Sequence, residues 1–261
     1  MKVWAKVRYV NEQKFYHNHN ISQAVHGFRE IGAEIVDYET IDEIYDTVEK
    51  DDIVLDYIAQ CQAIFQKFGK EVHLKDYPEV LKPLMGRKIW MDTLDSINCN
   101  PNKWGVFVKP TEEKAFTGRV VSSPKDFVGL GSEYKNYEVI CSEVVDIKAE
   151  WRGFVYYDKM LELRPYKGDW HYYFNPAIID KAMELFASWK ERPAACSLDF
   201  AVIRDEKGME KTIFLEANDA YALGCYGLDP IKYAKLVSAR WSQILGRPDE
   251  FDFRAYEIEK E

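Results

Sequence analysis

The sequence lacks the marks of a secreted, membrane-spanning or nucleic-acid-coating protein. Its five cysteines form no CxxC pair and are odd in number, which argues against a disulfide framework and predicts reduced thiols in the cytoplasm. The first residues contain no unbroken apolar segment, and charged residues interrupt the longest apolar stretches, so neither a signal peptide nor a membrane span is expected. The formal net charge of -9 argues against nucleic acid or an anionic membrane as partner.

Several familiar cofactor and catalytic motifs are also missing. The sequence contains neither a GxxxxGK[ST] phosphate loop nor a GxGxxG dinucleotide fingerprint. It has no GxSxG nucleophile motif, and its histidines and cysteines do not fall at zinc-binding spacings. Any nucleotide chemistry must therefore use other residues.

The pattern of predicted secondary structure changes along the chain. It has 261 residues, of which 47% are hydrophobic, enough for one or two folded domains. The first part alternates strand and helix signals, which indicates a small β-α-β-α unit with a parallel sheet. The predicted strands are 2–10, 34–38 and 52–58, and the predicted helices are 22–32 and 59–68.

The second part is rich in consecutive strands, which indicates antiparallel pairing. After a connector at 76–84 and an expected helix over 87–97, strands are predicted at 106–109, 118–121, 137–145, 151–157, 159–164, 198–203 and 212–217. Two helices are expected at 175–190 and 230–245, and the polar tail from residue 249 is expected to pack weakly. The fold class is therefore α/β followed by α+β, with a boundary near residue 85.

The sharpest candidate site is a predicted hairpin with carboxylates in apolar strands. Glu216 and Asn218 share one strand face, and an odd index sum near 413–415 in the antiparallel pair puts Asp199 on that face too. Two carboxylates and an amide oxygen at this spacing suit Mg²⁺, which also takes oxygens from phosphates. The alternative is a solvated polar face of the hairpin.

Two lysines follow a short apolar strand. Lys109 closes the strand VFVKP, at an end where sheet proteins often bind ligands. Lys114 lies in the following loop, 111–118, which could cover phosphates. The alternative is a pair of ordinary exposed lysines.

Arginine and glutamate alternate on two further strands. Glu150 shares a face with Arg152, and Glu162 shares a face with Arg164. Arginine side chains on a sheet face suit a carboxylate or a phosphate. Structural cross-strand ion pairs explain the same pattern equally well.

Taken in order, these segments resemble the ATP-grasp superfamily and, more narrowly, its RimK-related amide-ligase clade, which includes small bacterial and phage proteins. The likeness covers roughly residues 76–245: the connector DYPEVLKPLMGRKIW, the strand VFVKP and the closing segment FLEANDAYALG, with its acidic–x–Asn metal motif. The resemblance implies an ATP-grasp domain over 86–261, preceded by a pre-ATP-grasp α/β domain over 1–85.

The resemblance also implies a role for each candidate residue, with ATP and Mg²⁺ as cofactors. Residues 143–145 would be the hinge that meets adenine, and the loop 111–118 would be a lid. The expected cofactor-binding residues are Arg87, Lys109, Lys114, Glu143, Val145 and Glu150, the last of these at the ribose. The expected metal ligands are Asp199, Glu216 and Asn218, and the expected catalytic residues are Arg152 and Arg164, which would hold the acceptor carboxylate or the transferring phosphoryl group.

The implied activity is an ATP-dependent carboxylate–amine ligase that acts through an acyl phosphate. Phosphoryl transfer depends on positioning and charge neutralisation, which fits a site without a serine or cysteine nucleophile. A phosphotransferase acting on a hydroxyl and a non-catalytic nucleotide-binding module are the two alternatives. The expected partners are small-molecule or peptide substrates, and the sequence is compatible with a homo-oligomer.

Overall fold

The structure is a computed structural model that describes residues 1–112, 115–130, 135–205, 207–252 and 254. Within these residues the strands form three sheets of four strands each. Each sheet is built from one continuous part of the chain, so the order of the three sheets follows the sequence.

The first sheet is the predicted α/β unit. Its central strand pairs in parallel with two others and antiparallel with a hairpin partner, which confirms the parallel arrangement and adds one unpredicted strand and one short helix. The elements are β1 (Lys2–Val10), β2 (Gln13–Tyr16), α1 (His19–Glu30), β3 (Glu34–Tyr38), α2 (Ile41–Ile44), β4 (Ile53–Leu55) and α3 (Ile58–Lys67). Helix α1 begins earlier than predicted because the side chain of Asn18 accepts a hydrogen bond from the amide of Ile21, 2.9 Å away.

The second sheet is entirely antiparallel, in the order β5-β8-β6-β7. Its elements are β5 (Ile89–Thr93), α4 (Leu94–Asn98), β6 (Val106–Pro110), β7 (Arg119–Val121) and β8 (Glu138–Glu143). The helix predicted over 87–97 is correct only for its last part: α4 begins at Leu94, whereas residues 89–93 form β5, which pairs with β8 from Ile89↔Ser142 to Thr93↔Glu138. Tertiary pairing with a strand about 50 residues away overrides the local helical pattern.

The third sheet holds the predicted hairpin and is antiparallel in the order β10-β9-β11-β12. Its strands are β9 (Asp146–Tyr156), β10 (Lys159–Gly168), β11 (Ala195–Arg204) and β12 (Glu210–Asp219), and the helices of this region are α5 (Pro176–Ser188) and α6 (Pro230–Leu245). The residues between β8 and β9 join the second sheet to the third.

One large core connects the N-terminal unit with the C-terminal helix. Phe65 of α3 lies 4.4 Å, ring to ring, from the fully buried Trp241 of α6, and both belong to the same hydrophobic cluster as Phe28 of α1. Because α6 packs on α1, the N-terminal unit is fixed against the rest of the chain. The boundary near residue 85 stays a prediction.

The tail does not pack as weakly as expected. Phe251 is buried, with its ring 5.9 Å from that of Phe28, and Asp249 accepts a hydrogen bond of 2.6 Å from the hydroxyl of Ser238. Although the segment is mostly polar, Phe251 packs in the core and Asp249 accepts a hydrogen bond from the buried Ser238. Within the described parts of the chain, no helix is both long enough and apolar enough to span a bilayer.

Gly27 marks the closest approach of α1 to α6. A Cβ at this position would stand 1.8 Å from the carbonyl oxygen of Pro230, the first residue of α6. We expect Gly27→Ala to destabilise the protein by about 1–3 kcal/mol or more, because the clash with backbone exceeds the roughly 1 kcal/mol that alanine gains in helix propensity. Urea unfolding measures the difference. Ser22→Ala, on the exposed face of α1, is the control, and equal stability of both variants would contradict the close approach.

Candidate active site

A cleft lies beside the connection between the second and third sheets. The strand β8 ends at Glu143 and β9 begins at Asp146, so the predicted hinge residues 143–145 do form the link. The Glu143 carboxylate accepts a hydrogen bond of 2.9 Å from the amide of Lys88, which ties this end of β8 to β5. The cleft has a volume of about 350 Å³, within the usual range for small-molecule sites.

The lining of this cleft combines aromatic, backbone and charged groups. Of the predicted cofactor-binding residues it contains Arg87, Glu143, Val145 and Glu150, together with the predicted metal ligand Glu216. Its other lining residues are Tyr77, Phe107, Val120, Ser142, Val144, Ile147, Tyr166, Lys167 and Leu215. The predicted residues Lys109, Arg152, Asn218 and Asp199 do not line this cleft; Lys109 and Asp199 lie next to it through their contacts with Glu216.

Lys109 lies between two carboxylates. Its ammonium nitrogen is 2.5 Å from Asp76 Oδ2 and 2.9 Å from Glu216 Oε2, and it lies 4.7 Å from the centre of the Tyr77 ring. Burial alone would lower the pKa of Lys109, but the charges of Glu216 and Asp76 outweigh it and raise the pKa. Burial would likewise raise the pKa of Glu216, and the charge of Lys109 lowers it instead.

The three predicted metal ligands lie on one face of the β11–β12 hairpin. Asp199 pairs directly with Glu216, an index sum of 415, and the strand register shifts immediately after this pair. The amide of Asn218 donates a hydrogen bond of 3.2 Å to Asp199 Oδ2. The three side chains therefore lie together, as the alternation of side chains along the two strands predicted.

Asp199 is bound by an arginine. Nε and Nη2 of Arg152 donate to the two carboxylate oxygens of Asp199 at 2.9 and 2.7 Å, and the two residues face each other across β9 and β11. Arg152 is 7% and Asp199 1% exposed, so this bidentate pair is buried. Burial raises the pKa of Asp199, and the guanidinium offsets this only in part. Arg152, predicted to hold an acceptor carboxylate or phosphoryl group, instead holds a carboxylate of the protein.

Arg164 and Arg87 also have protein partners. Arg164 forms an ion pair with Glu162 of the same strand, β10, and Glu162 also binds the ammonium of Lys232 of α6 at 2.7 Å, so the pair is within one strand and does not cross strands. Arg164 does not line the cleft. The guanidinium of Arg87 donates to the carbonyl oxygens of Met85, Phe214 and Leu215 at 3.0–3.1 Å, so it fastens β12 as well as lining the cleft. Burial lowers its pKa.

Glu150, the predicted ribose ligand, lines the cleft together with Glu216. Its carboxylate accepts a hydrogen bond of 2.8 Å from the Tyr166 hydroxyl and lies 2.7 Å from the ammonium of Lys167. Both partners project from β10, and neither was predicted. The sequence contains many lysines, and no local pattern distinguishes Lys167 as the one that pairs with Glu150.

The donor set fits Mg²⁺. The side chain of Glu216 is 34% exposed, and Asn218 adds an amide oxygen on the same face, whereas both oxygens of Asp199 are already bound by Arg152. Hard oxygen donors of this kind suit Mg²⁺, which keeps waters and phosphate oxygens as further ligands. Among the described residues no three His, Cys, Asp or Glu side chains cluster as a metal site.

Sequence reasoning missed Asp76 and Tyr77, and Lys114 lies outside the described residues. Both missed residues belong to the connector that carries the family resemblance, but nothing local indicates that they contact Lys109, which lies more than 30 residues away. Only the folded structure shows that Asp76 and Tyr77 contact Lys109.

Residues 84–236, more than half of the chain, match the family described as ATP-grasp domain, R2K clade family 2. The chain belongs to the ATP-grasp superfamily. This confirms the resemblance and the fold class, and ATP-grasp ligases use ATP and Mg²⁺.

Solved structures agree with this ATP-grasp fold. D-alanine–D-alanine ligase from Bacillus anthracis complexed with ATP superimposes with a TM-score of 0.55 at 10% identity over 94% of this chain and 98% of the other. N5-carboxyaminoimidazole synthetase from Staphylococcus aureus gives 0.54 at 9% identity over 95% and 77% of the two chains. A RimK domain ATP-grasp protein from Sphaerobacter thermophilus gives 0.51 at 12% identity over 92% and 99%. These likenesses show the fold, and no curated protein matches the sequence.

The Arg152–Asp199 pair of this ATP-grasp protein should be costly to break from one side. We expect Arg152→Met to destabilise the protein by about 3–5 kcal/mol, because it leaves Asp199 buried without its partner. The double variant Arg152→Met with Asp199→Leu should recover most of that loss. Urea unfolding measures both, and Lys181→Met, which breaks an exposed pair with Glu184, is the control, with an expected loss of about 0.5 kcal/mol or less. A loss below about 1 kcal/mol for Arg152→Met would contradict the buried pair.

The Glu216 carboxyl should titrate differently without Lys109. In Lys109→Met burial is the largest remaining influence on Glu216, while Arg152 and Asn218 still act against it, so the pKa of Glu216 should be higher than in the parent protein. A carboxyl with a lowered pKa stabilises the fold above its ordinary pKa and loses that contribution on acidification; a raised pKa reverses the sign. We therefore expect the variant's deficit in unfolding free energy to be largest near pH 7 and to shrink towards pH 4, roughly the range of carboxyl titration.

The side-chain ¹³C shift of Glu216, followed by NMR, reports the pKa directly. Lys103→Met breaks the 2.7 Å pair with Asp92 outside the cleft and serves as the matched control. If the titration of Glu216 is the same in Lys109→Met as in the control, Lys109 does not set its charge.

Proposed function

We propose that the protein is an ATP- and Mg²⁺-dependent carboxylate–amine ligase. A substrate carboxylate oxygen attacks the γ-phosphorus of ATP, ADP leaves, and an acyl phosphate remains. An amine then attacks the acyl carbon, phosphate leaves, and the amine loses a proton as the amide bond forms. The acid and the amine are small molecules, amino acids or peptides.

One observation carries the proposal: Lys109 and Glu216 meet, 2.9 Å apart, beside a cleft of about 350 Å³ whose lining includes the hinge residues 143–145. An ammonium and a metal-binding carboxylate beside an aromatic- and backbone-lined cleft fit a triphosphate at one end and a base at the other. Membership of the ATP-grasp superfamily supports the same assignment.

Different residues at the cleft would bind different parts of the nucleotide. The backbone of Glu143 and Val145 would meet adenine, and Glu150 would accept from the ribose hydroxyls. Lys109 would bind the phosphates, and Lys114 of the following loop would assist as part of a lid. Arg87 is held by backbone carbonyls, so its contribution would be the shape and local positive charge of the phosphate end.

Glu216 and Asn218 would hold Mg²⁺. Asp199 would be the third ligand, through a carboxylate oxygen that also accepts a hydrogen bond from Arg152. Bound Mg²⁺ would neutralise phosphate charge. Arg152 would hold the carboxylate of Asp199 in position. Its remaining nitrogen, Nη1, donates a hydrogen bond of 3.4 Å to the carbonyl oxygen of Gly224. Arg164, whose side chain is 40% exposed, is the more available arginine for an acceptor carboxylate.

The two alternatives are a phosphotransferase, which hands the γ-phosphate to a hydroxyl, and a non-catalytic nucleotide-binding module. The partly exposed Arg164 on β10 of the third sheet favours an anionic acceptor and hence the ligase. The metal-ligand set on one hairpin face argues against the non-catalytic module.

Incubation with ATP, Mg²⁺ and pooled amino acids or short peptides distinguishes the three. Substrate-dependent release of ADP and phosphate, with a product whose mass is the sum of two substrates less one water, supports the ligase. A phosphorylated product supports the phosphotransferase, and binding without turnover supports the module. We expect Glu216→Gln to lower turnover at least 100-fold, on the order of the loss expected for one essential electrostatic contact. Glu210→Gln, an exposed change on the same strand, should leave turnover unchanged, and a fully active Glu216→Gln enzyme would refute the metal assignment.

A further inference from the structure

Asp76 contacts the central lysine of the site, although no motif assigns it a role. Its Oδ2 atom lies 2.5 Å from Lys109 Nζ, closer than Glu216 Oε2 at 2.9 Å. The lysine therefore joins a carboxylate of the connector to a carboxylate of β12. In sequence these two acids stand 140 positions apart.

The position of Asp76 is fixed by its backbone. Its carbonyl oxygen accepts a hydrogen bond of 2.8 Å from the amide of Ala217, the residue after Glu216 on β12. The side chain is 42% exposed and lies on the wall of a cavity of about 210 Å³ that also contains Arg152 and Asn218. Asp76 is thus held beside the metal-ligand face, with its carboxylate directed at Lys109.

The charges of this group are unequal. Lys109 is 15% exposed at its side chain and has one positive charge between two carboxylates, while Arg152 and Asp199 neutralise each other. The five side chains therefore have a net formal charge of -1. A mostly buried ammonium that loses all its anionic partners is strongly destabilised, so Lys109 needs a carboxylate whenever Glu216 is used elsewhere.

We propose that Asp76 is a positioning residue that retains Lys109 when Glu216 binds the metal. This inference rests on the proposed function. The lysine can be shared between the two acids or pair with Asp76 alone, so Glu216 is released to a cation without leaving the ammonium unpaired. Without Asp76, Lys109 has Glu216 as its remaining carboxylate partner among the described residues and competes with the metal for it.

The Asp76→Asn variant has two effects on metal affinity that must be separated. Removal of a negative charge weakens the binding of any nearby cation, whatever Lys109 does. Loss of the second partner for Lys109 adds a further weakening that requires Lys109 to be present. A double-mutant cycle with Lys109→Met isolates the second effect, because the first is common to both backgrounds.

The probe is Mn²⁺, titrated alone and then with ADP, with free Mn²⁺ measured by electron paramagnetic resonance. Four proteins form the cycle: wild type, Asp76→Asn, Lys109→Met and the double variant. We expect Asp76→Asn to weaken Mn²⁺ binding about threefold to tenfold more in the wild-type background than in the Lys109→Met background, as for directly interacting charges. Asp37→Asn, which breaks a 2.7 Å pair with Lys14 in the N-terminal sheet, is the matched control and should leave Mn²⁺ affinity unchanged.

Each outcome decides the proposal. Equal weakening in both backgrounds overturns it and makes Asp76 either a direct ligand or a distant charge. No weakening in either background overturns it as well. Failure of wild type to bind Mn²⁺ with ADP would instead refute the proposed nucleotide function, so the two failures are distinguishable. Thermal unfolding of all four proteins shows whether they are folded under the conditions of the titration.

Discussion

The bidentate pair between Arg152 and Asp199 is the interaction on which the site depends. It joins β9 to β11 at the point where β12 brings Glu216 alongside, in the interior of the third sheet. A buried carboxylate without a cation would be strongly destabilised, and so would a buried guanidinium without an anion. Each partner therefore needs the other for the polar face to exist within an otherwise apolar sheet.

The same principle governs the other cations of the site. Lys109 has Asp76 and Glu216, Lys167 has Glu150, and Arg87 has the backbone carbonyls of Phe214 and Leu215. In the described structure each positive charge around the cleft thus already has an oxygen partner. Arg87 is the clearest case, since its contacts with these carbonyls hold β12 in place.

The sequence predicted much of this because some of the determinants are local. Alternation within β12 put Glu216 and Asn218 on one face, and the constant index sum of an antiparallel hairpin brought Asp199 opposite them. Local patterns failed where the partner lies far away. The segment 87–97 has a helical pattern, but pairing with β8 makes residues 89–93 a strand and leaves only the last part of the segment helical. Asp76 has no local signal because its partners are Lys109 and the backbone of β12. The tail after residue 249 was misjudged for the same reason, since Phe251 packs against Phe28 of the distant α1.

A site of paired charges binds an anionic ligand by exchange of partners. Phosphate oxygens that approach Lys109 replace carboxylate oxygens that already solvate it, so the ammonium need not be stripped of water at that moment. In the proposed function, Glu216 would be the carboxylate released by the exchange, and a divalent cation bound with the phosphates would replace the charge it has lost. Because the two exchanges share one lysine, nucleotide and metal should each raise the affinity for the other, by equal factors as linkage requires. The net charge of -9 is therefore a poor guide to the ligand, since a local balance close to neutrality around Lys109 and Arg152 decides what binds.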